Sequence, residues 1–190
     1  MTGDCGVGGR RRPRADARRN RQRLLAEADA VFREDGSGAS LERVARRAGV
    51  AIGTLYGHFP TRHDLVAALL RRRHDELFAW GEGLGAERGP GAALEAWVRA
   101  VVEHASTYSG LADLLVAADA GSELHDDCAR MTAIGEALVA GARAAGAVRA
   151  DIRGEDVFTL VNAAAWTRAG LSPEDADRLV TFTLDGFRRG

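Results

Sequence analysis

Residues 41–65 read LERVARRAGVAIGTLYGHFPTRHDL and contain two short helical patterns on either side of a glycine. Ser40 comes just before the first pattern and is a candidate N-cap. Apolar residues then recur every three to four positions as far as Ala48, the spacing of one helix face. Gly49 tolerates the left-handed backbone conformation that commonly ends a helix. The pattern therefore predicts a first short helix that ends at Gly49.

A second short helix is predicted from about Ala51 to Phe59, because Pro60 disfavours its continuation. One side of this helix is apolar and carries Ile52, Leu55 and Phe59. The residues left available to a partner are Gly53, Thr54, Tyr56, Gly57 and His58. Two short helices joined by a turn have the spacing of a helix-turn-helix, a motif that places its second helix in the major groove of DNA.

A longer third helix is predicted to begin at Thr61, whose hydroxyl can cap it. Arg62 lies near the N-terminus of that helix, where its charge and the helix dipole together favour a phosphate anion. The motif and this basic residue point to a double-stranded DNA backbone as the partner.

At these residues the chain resembles the TetR family of transcriptional regulators. The shared motif is a small helix, Ala-Gly-Val, a Gly-Thr-Leu-Tyr-x-His-Phe core and a following basic residue. The resemblance implies that Thr54 and Tyr56 meet DNA and that His58 and Arg62 contact phosphates. It also implies that Gly53 allows close approach of the backbone in the major groove.

Three positions depart from the family pattern. Ala51 stands where a serine cap is often found, and Gly57 stands where a larger or basic residue is common. Ile52 replaces a basic residue, which indicates packing or contact with a thymine methyl group. Tyr56 and His58 also have a simpler interpretation as half-buried helix residues. The candidate DNA-binding residues are Ser40, Ile52, Gly53, Thr54, Tyr56, His58 and Arg62.

Charge is distributed unevenly along the 190 residues. The formal net charge is -1, but residues 1–63 contain thirteen arginines against seven acidic residues and therefore carry +6. The remainder carries -7. All 26 basic residues are arginine, which suits phosphate contacts. The basic charge thus coincides with the predicted DNA-binding part of the chain.

The first dozen residues are rich in glycine and arginine and cannot form a core. We predict a flexible Arg-rich arm over residues 1–14 and a helix from about Asp16. The arm is either a solvated tail or a segment that follows phosphates or enters the minor groove. Residues 15–62 form the predicted helix-turn-helix domain. Its supporting helix has an apolar face made of Leu24, Leu25, Ala28, Val31 and Phe32.

The rest of the chain, residues 63–190, is predicted to be an effector-binding and dimerisation domain. A helix continues past Arg62, and the five glycines and Pro90 between Gly81 and Gly91 predict a loop after it. Further helical patterns follow, with a strong start signal at Ser172, and no segment reads as a strand pair. The fold class is therefore all-α: an N-terminal three-helix helix-turn-helix domain joined by a helix to a C-terminal helical domain.

The resemblance implies a homodimer built from the last two helices as a four-helix bundle. A purely intramolecular core is the alternative for these helices. A dimer also follows from DNA geometry, because two recognition helices give adequate affinity on a palindromic operator.

The middle of the chain would bind a small-molecule effector that the sequence does not identify. Polar-tipped or aromatic residues interrupt its aliphatic helices, although most such residues are structural in proteins. The candidate ligand-binding residues are Trp97, His104, Tyr108, Asn162 and Trp166. Consecutive residues 125–128 (HDDC) resemble metal ligands in composition, but they point in different directions on a helix. We expect no metal and no cofactor.

Several classes of protein are disfavoured by the sequence. Cys5 and Cys128 form no pattern typical of a disulfide framework or zinc finger, and no signal peptide is recognised, so a cytoplasmic location is expected. No run approaches the roughly 18 apolar residues needed to cross a bilayer. The sequence also disfavours an enzyme, because Gly81, Gly83 and Gly85 follow a helix rather than a strand and make a poor phosphate loop. The leading hypothesis is a repressor released from DNA by an effector; the alternative is a DNA-binding regulator with no effector.

Overall fold

The computed structural model describes residues 11–116, 121–168 and 172–188, apart from some side chains within them. Eight α-helices occupy this described part, with no strand beyond one isolated bridge between Val148 and Arg188. The all-α prediction is confirmed. The helices are α1 (Arg11–Asp35), α2 (Leu41–Arg47), α3 (Ile52–His58), α4 (Arg62–Glu87), α5 (Pro90–Val116), α6 (Gly121–Ala144), α7 (Gly154–Arg168) and α8 (Pro173–Phe187).

The chain divides into two compact units, an N-terminal unit of residues 1–69 and a C-terminal unit of residues 70–190. The boundary falls within α4, so the first two turns of this helix belong to the N-terminal unit. None of the described helices is both long enough and apolar enough to span a membrane.

The N-terminal unit packs α2 and α3 against the apolar face of α1. The predicted supporting residues of α1 are all buried. A second group of buried residues closes the core from α2, α3 and the start of α4: Leu41, Val44, Ala45, Leu55, Phe59, Leu65, Val66 and Leu69. Burial of apolar side chains from α1, α2, α3 and the start of α4 stabilises this unit, because short helices are only marginally stable by helix propensity alone.

Glycine ends α2 as the sequence predicts. Gly49 has a φ of 67°, the left-handed conformation. The Val50 amide donates to the Ala45 carbonyl at 3.0 Å and the Gly49 amide donates to the Arg46 carbonyl at 3.1 Å. These two bonds form a Schellman motif, which satisfies carbonyls that the helix end would otherwise leave unpaired.

The start of α4 is fixed by a reciprocal cap. The Asp64 amide donates to Thr61 Oγ1 at 3.1 Å, and the Thr61 amide donates to Asp64 Oδ2 at 2.9 Å. This is a capping box, with aspartate in the place of the more common glutamate. The predicted helix start at Thr61 is confirmed.

Two predicted boundaries are wrong. Helix α1 begins at Arg11 rather than about Asp16, so residues 11–14 of the predicted arm are helical. Pro13 is compatible with this start, because the amides of a first helical turn have no partner within the helix. Residues 1–10 of the predicted arm lie outside the described residues.

The predicted loop from Gly81 to Gly91 is the second correction. Helix α4 continues through these glycines to Glu87, and α5 begins at Pro90. Gly81 and Leu84 are buried in the helix, so packing offsets the roughly 1 kcal/mol by which a glycine weakens a helix relative to alanine. Pro90 occupies the first position of α5, where its fixed φ suits a helix start.

The C-terminal unit is built around α5, which packs on α6 and α7, while α7 also packs on α8. Its core includes Phe78 and Leu84 from α4, Trp97 and Val98 from α5, and aliphatic residues of the later helices. Ser172 caps α8, because its hydroxyl accepts the Asp175 amide at 3.1 Å. The start signal predicted at Ser172 is therefore confirmed.

Candidate DNA-recognition site

Helix α3 is held in place by two buried anchors and leaves one face open. Leu55 is fully buried, and Phe59, which caps the C-terminal end, is 2% exposed. The Phe59 amide donates to the Leu55 carbonyl at 2.8 Å and closes the last turn. Tyr56, one residue after Leu55, is 45% exposed. The anchors therefore fix the helix while the opposite face remains accessible.

The open face of α3 consists of Ile52, Gly53, Tyr56 and Gly57, all of which are exposed. An added Cβ on Gly53 or Gly57 would meet no atom within 4 Å, so nothing in the structure covers these positions. Thr54 and His58 are half-buried at the sides of this face. The predicted recognition residues of α3 thus lie on or beside one surface, where a groove edge or phosphate could reach them.

The sequence pattern predicted that Ile52 lies on the buried side of α3 with Leu55 and Phe59, and this prediction is wrong. Its side chain is 37% exposed, because it occupies the first position of α3, ahead of the turn that supplies the buried Leu55. Ala51, just before it, provides no side-chain cap. Of the two interpretations of Ile52, this exposure favours contact with a partner over packing.

Ser40 acts as the N-cap of α2, as predicted. Its hydroxyl oxygen accepts the Arg43 amide at 3.2 Å, and the hydroxyl donates to Glu42 at 2.8 Å. This donated bond is the main cause that lowers the pKa of the Glu42 carboxyl. Both roles of the Ser40 hydroxyl are structural, and its contact with DNA stays a prediction.

Two arginines of α2 are committed to ion pairs with α1. Arg47 pairs with Glu34 at 2.7 Å and with Glu27 at 2.9 Å, while Arg43 contacts Glu34 and Asp35. The hydrogen bond from Arg47 lowers the pKa of Glu34, and bonds to the carboxylates raise the pKa of both arginines. These residues connect α1 to α2, so the positive charge of α2 is partly neutralised within the unit.

Arg62 has a structural partner that the sequence did not reveal. Its guanidinium donates to the Ala39 carbonyl at 2.9 Å and lies 5.6 Å from the centre of the Phe32 ring. This contact joins the start of α4 to the segment before α2. A phosphate contact by Arg62 stays a prediction, and it would have to be made by a side chain that is already engaged.

Arg21 is a further candidate phosphate ligand that sequence reasoning did not single out. Its guanidinium lies 5.2 Å from the centre of the Phe59 ring, while the side chain remains exposed. Phe59 follows His58, so this contact places a cation of α1 beside the C-terminal end of α3. In the sequence, only its position three residues before the apolar Leu24 could have indicated that Arg21 lies beside α3. Several neighbouring arginines have similar positions, so the sequence gives no reason to prefer Arg21.

The candidate ligand residues of the C-terminal unit are only partly described. Trp97 is 3% exposed and borders a cavity of about 20 Å³, room for little more than one water molecule. His104 and Tyr108 lie together with ring centres 5.0 Å apart. The side chains of Asn162 and Trp166 lie outside the described residues. The role of these five residues in ligand binding therefore stays a prediction.

A larger groove of about 380 Å³ lies elsewhere in the C-terminal unit, and among the described candidate ligand residues Trp97, His104 and Tyr108 do not line it. Its walls come from the first turns of α5, the segment after α6 and the end of α8, with the Glu95–Arg188 ion pair at 3.1 Å among them. No cluster of three or more potential metal ligands occurs among the residues that the structure describes.

Comparison with known proteins assigns the family. Residues 89–189 match the C-terminal domain of SbtR-like transcriptional regulators, and residues 24–69 match the bacterial regulatory proteins of the TetR family. A TetR transcriptional regulator from Streptomyces coelicolor has 40% sequence identity and a TM-score of 0.74, over 88% of this chain and 98% of that one. A TetR regulatory protein from Mycobacterium vanbaalenii has 35% identity and a TM-score of 0.73, over 93% and 99%.

An HTH-type transcriptional regulator of Staphylococcus aureus is 40% identical over 63 residues, 33% of this chain. That match spans about a third, 34%, of the curated relative's length. The chain belongs to the TetR family of transcriptional regulators and is a DNA-binding protein. Its family and fold are those of regulators rather than of enzymes.

Proposed function

We propose that this chain is a repressor that binds a palindromic operator as a homodimer and is released by a small-molecule effector. The open face of α3, held by buried Leu55 and Phe59, is the observation that carries the DNA-binding part. Ile52 and Tyr56 would reach base edges or phosphates, and Gly53 would let the backbone come close to the groove. Binding chromosomal DNA would place this action in the cytoplasm.

The homodimer is supported by apolar side chains that the single chain leaves uncovered on its last two helices. Phe182 is 62% exposed, Leu179 is 42% exposed and Leu160 of α7 is 39% exposed. Large exposed apolar residues on two helices that pack together indicate an interaction site, and two copies of such a helix pair can form a four-helix bundle. A dimer presents two α3 helices, which matches the symmetry of a palindrome.

The effector would enter the C-terminal unit near Trp97, His104 and Tyr108. Aromatic and polar-tipped groups in an aliphatic interior suit an aromatic or amphipathic molecule. Because the cavity beside Trp97 is only about 20 Å³, binding at this place requires the indole or its neighbours to move. The small cavity also supports a second candidate, a regulator that binds DNA without any small-molecule effector.

Selection of duplexes from a random pool tests the proposed operator. We expect a palindromic consensus sequence with two half-sites about one helical turn apart. The affinity of the protein for this duplex should fall steeply as the salt concentration increases. Recovery of no consensus would contradict the proposal. A panel of aromatic acids and alcohols then tests the effector, scored by quenching of tryptophan fluorescence and release of the selected duplex. Quenching without release would favour the second candidate.

A further inference from the structure

His74 is a buried polar residue in the C-terminal unit with a defined partner. Its exposed fraction is 5%, and Asp29 is the other buried polar or charged residue in the described part of the chain. His74 Nδ1 is hydrogen-bonded to the Asp127 carboxylate, 53 positions away. The bond joins α4 to α6, and the Asp127 side chain is 30% exposed. A buried polar group needs such a partner, because leaving it unpaired is costly.

Aromatic groups enclose the His74 ring. Phe78, one turn further along α4, stacks on it with ring centres 5.7 Å apart. His104 of α5 lies 4.9 Å away, and its ring in turn contacts Tyr108. This packing from α4 and α5 restricts how the imidazole can reorient, so the bond to Asp127 has a fixed geometry rather than one of many.

A second bridge between α4 and α6 provides a natural comparison. Glu82 and Arg130 form an ion pair at 2.7 Å, but both side chains are about half exposed. The hydrogen bond to Glu82 raises the pKa of Arg130, with smaller contributions from Asp75 and Asp127. Exposed ion pairs are screened by water and contribute little. The same two helices are therefore joined by one part-buried hydrogen bond and one solvent-exposed ion pair.

The bond between His74 and Asp127 lies near the start of the part of α4 that belongs to the C-terminal unit. The boundary between the two units falls after Leu69, and His74 follows about one turn later. At its other end α4 begins at Arg62, separated from the last residue of α3, His58, by three residues. The bond thus holds the shared helix close to the point where it enters the C-terminal unit.

We propose that His74 and Asp127 are positioning residues for operator binding. Their bond fixes the register of α4 against α6, and α4 carries the N-terminal residues that follow α3. A contact that is present in one arrangement of α4 and absent from others can bias a binding equilibrium. Loss of the bond lets α4 take other registers, so a smaller fraction of the protein presents α3 in the arrangement that the operator requires. This inference rests on the proposed binding of a dimer to an operator.

A double-mutant cycle on the full-length protein tests the proposal. The variants are His74→Leu, Asp127→Ala, the double variant and Asp127→Asn, which keeps an oxygen that can accept a bond. The probe is the duplex selected from the random pool, titrated at a temperature at which circular dichroism and sedimentation show every compared variant to be folded and in the wild-type oligomeric state. Glu82→Gln is the matched control, because it removes the carboxylate charge from the exposed bridge between the same helices.

We expect each single variant to weaken operator binding at least tenfold and the double variant to weaken it no further than the worse single variant. Random duplex should be bound within about twofold of wild type, and Asp127→Asn should recover most of the operator affinity. Glu82→Gln should change it less than twofold. Binding of wild type to the operator tests the proposed function. The ratio of variant to wild-type operator affinity tests the positioning role of His74 and Asp127.

Wild-type operator affinity in a folded Asp127→Ala variant would overturn the proposal. Additive losses in the double variant would also overturn it, since they would show that His74 and Asp127 act separately. Should His74→Leu fail to fold, the comparison of Asp127→Ala, Asp127→Asn and Glu82→Gln decides: equal affinity in all three contradicts a positioning role.

Discussion

The indole of Trp97 occupies the space that a side chain on Gly81 would need. A Cβ added to Gly81 would overlap Trp97 Cζ3 and lie 2.7 Å from Trp97 Cε3, far inside van der Waals contact. On another side of the ring, a Cβ on Gly135 would come within 3.2 Å of the indole nitrogen. Glycines of α4 and α6 therefore form a slot for Trp97 in the core of the C-terminal unit.

Gly81→Ala should consequently destabilise the protein, although alanine normally favours a helix. Overpacking a core costs about 1 to 3 kcal/mol, which exceeds the gain of up to about 1 kcal/mol from helix propensity. Gly85→Ala is the control, since a Cβ there meets nothing within 4 Å and the substitution should stabilise the same helix. Urea unfolding measures both changes, and an equal gain in stability from both variants would contradict the slot.

The ion pairs of Glu34 should make stability depend on acid pH. Arg47 lowers the pKa of Glu34 below its ordinary value of 4.5, so the folded protein favours the charged carboxylate. Such a contribution is present above the ordinary pKa and is lost as the pH falls through the lower pKa of the folded state. Melting temperatures of wild type and Glu34→Gln should differ at pH 7 and converge as the pH falls below 4.5. A difference that is constant over this range would rule out the ion pairs as its source.

Tyr56→Phe should weaken DNA binding without changing the melting temperature, because the side chain is 45% exposed. Loss of one hydrogen bond of about 1 kcal/mol corresponds to roughly a fivefold higher Kd. Titrations with operator and random duplex distinguish its partner: a phosphate contact weakens both, whereas a base contact weakens the operator alone. Unchanged affinity for both duplexes would assign Tyr56 no role in binding.

Arg62→Ala should lower the free energy of unfolding by about 1 to 3 kcal/mol, because the Ala39 carbonyl loses a charged donor. If Arg62 also contacts phosphate, the salt dependence of binding to random duplex should fall by roughly one unit of slope per subunit. Arg46→Ala, at an exposed position of α2, is the control for stability and should change it by less than about 0.5 kcal/mol. A destabilised variant with an unchanged slope would make Arg62 a structural residue only.

Phe182→Arg should convert the proposed dimer to monomers, because it places a charge in the apolar surface of α8. Leu184 is unsuitable for this test, since it is 6% exposed within the core and its replacement by arginine would unfold the unit. Ala137→Arg adds the same charge at an exposed site of α6 and should leave the dimer intact. Sedimentation at micromolar concentration measures both, and a dimeric Phe182→Arg variant would place the interface elsewhere.

The sequence by itself determined the helix caps and the turn of the helix-turn-helix motif. Capping at Ser40, Thr61 and Ser172 and the glycine turn at Gly49 depend on residues within one turn of each other, so short-range patterns suffice to predict them. The anchors and exposed residues of α3 follow from the same local periodicity, with Ile52 as the exception because it begins the helix.

Only the tertiary structure decided which distant groups meet. Arg62 donates a hydrogen bond to the carbonyl of Ala39, 23 positions earlier. His74 is hydrogen-bonded to the carboxylate of Asp127, 53 positions later. Gly81 lies within a helix and packs against Trp97, although the local glycine pattern predicted a loop. Helix caps are set by nearest neighbours, but long-range partners are set by how whole helices pack, and residue spacing along the chain does not encode that choice.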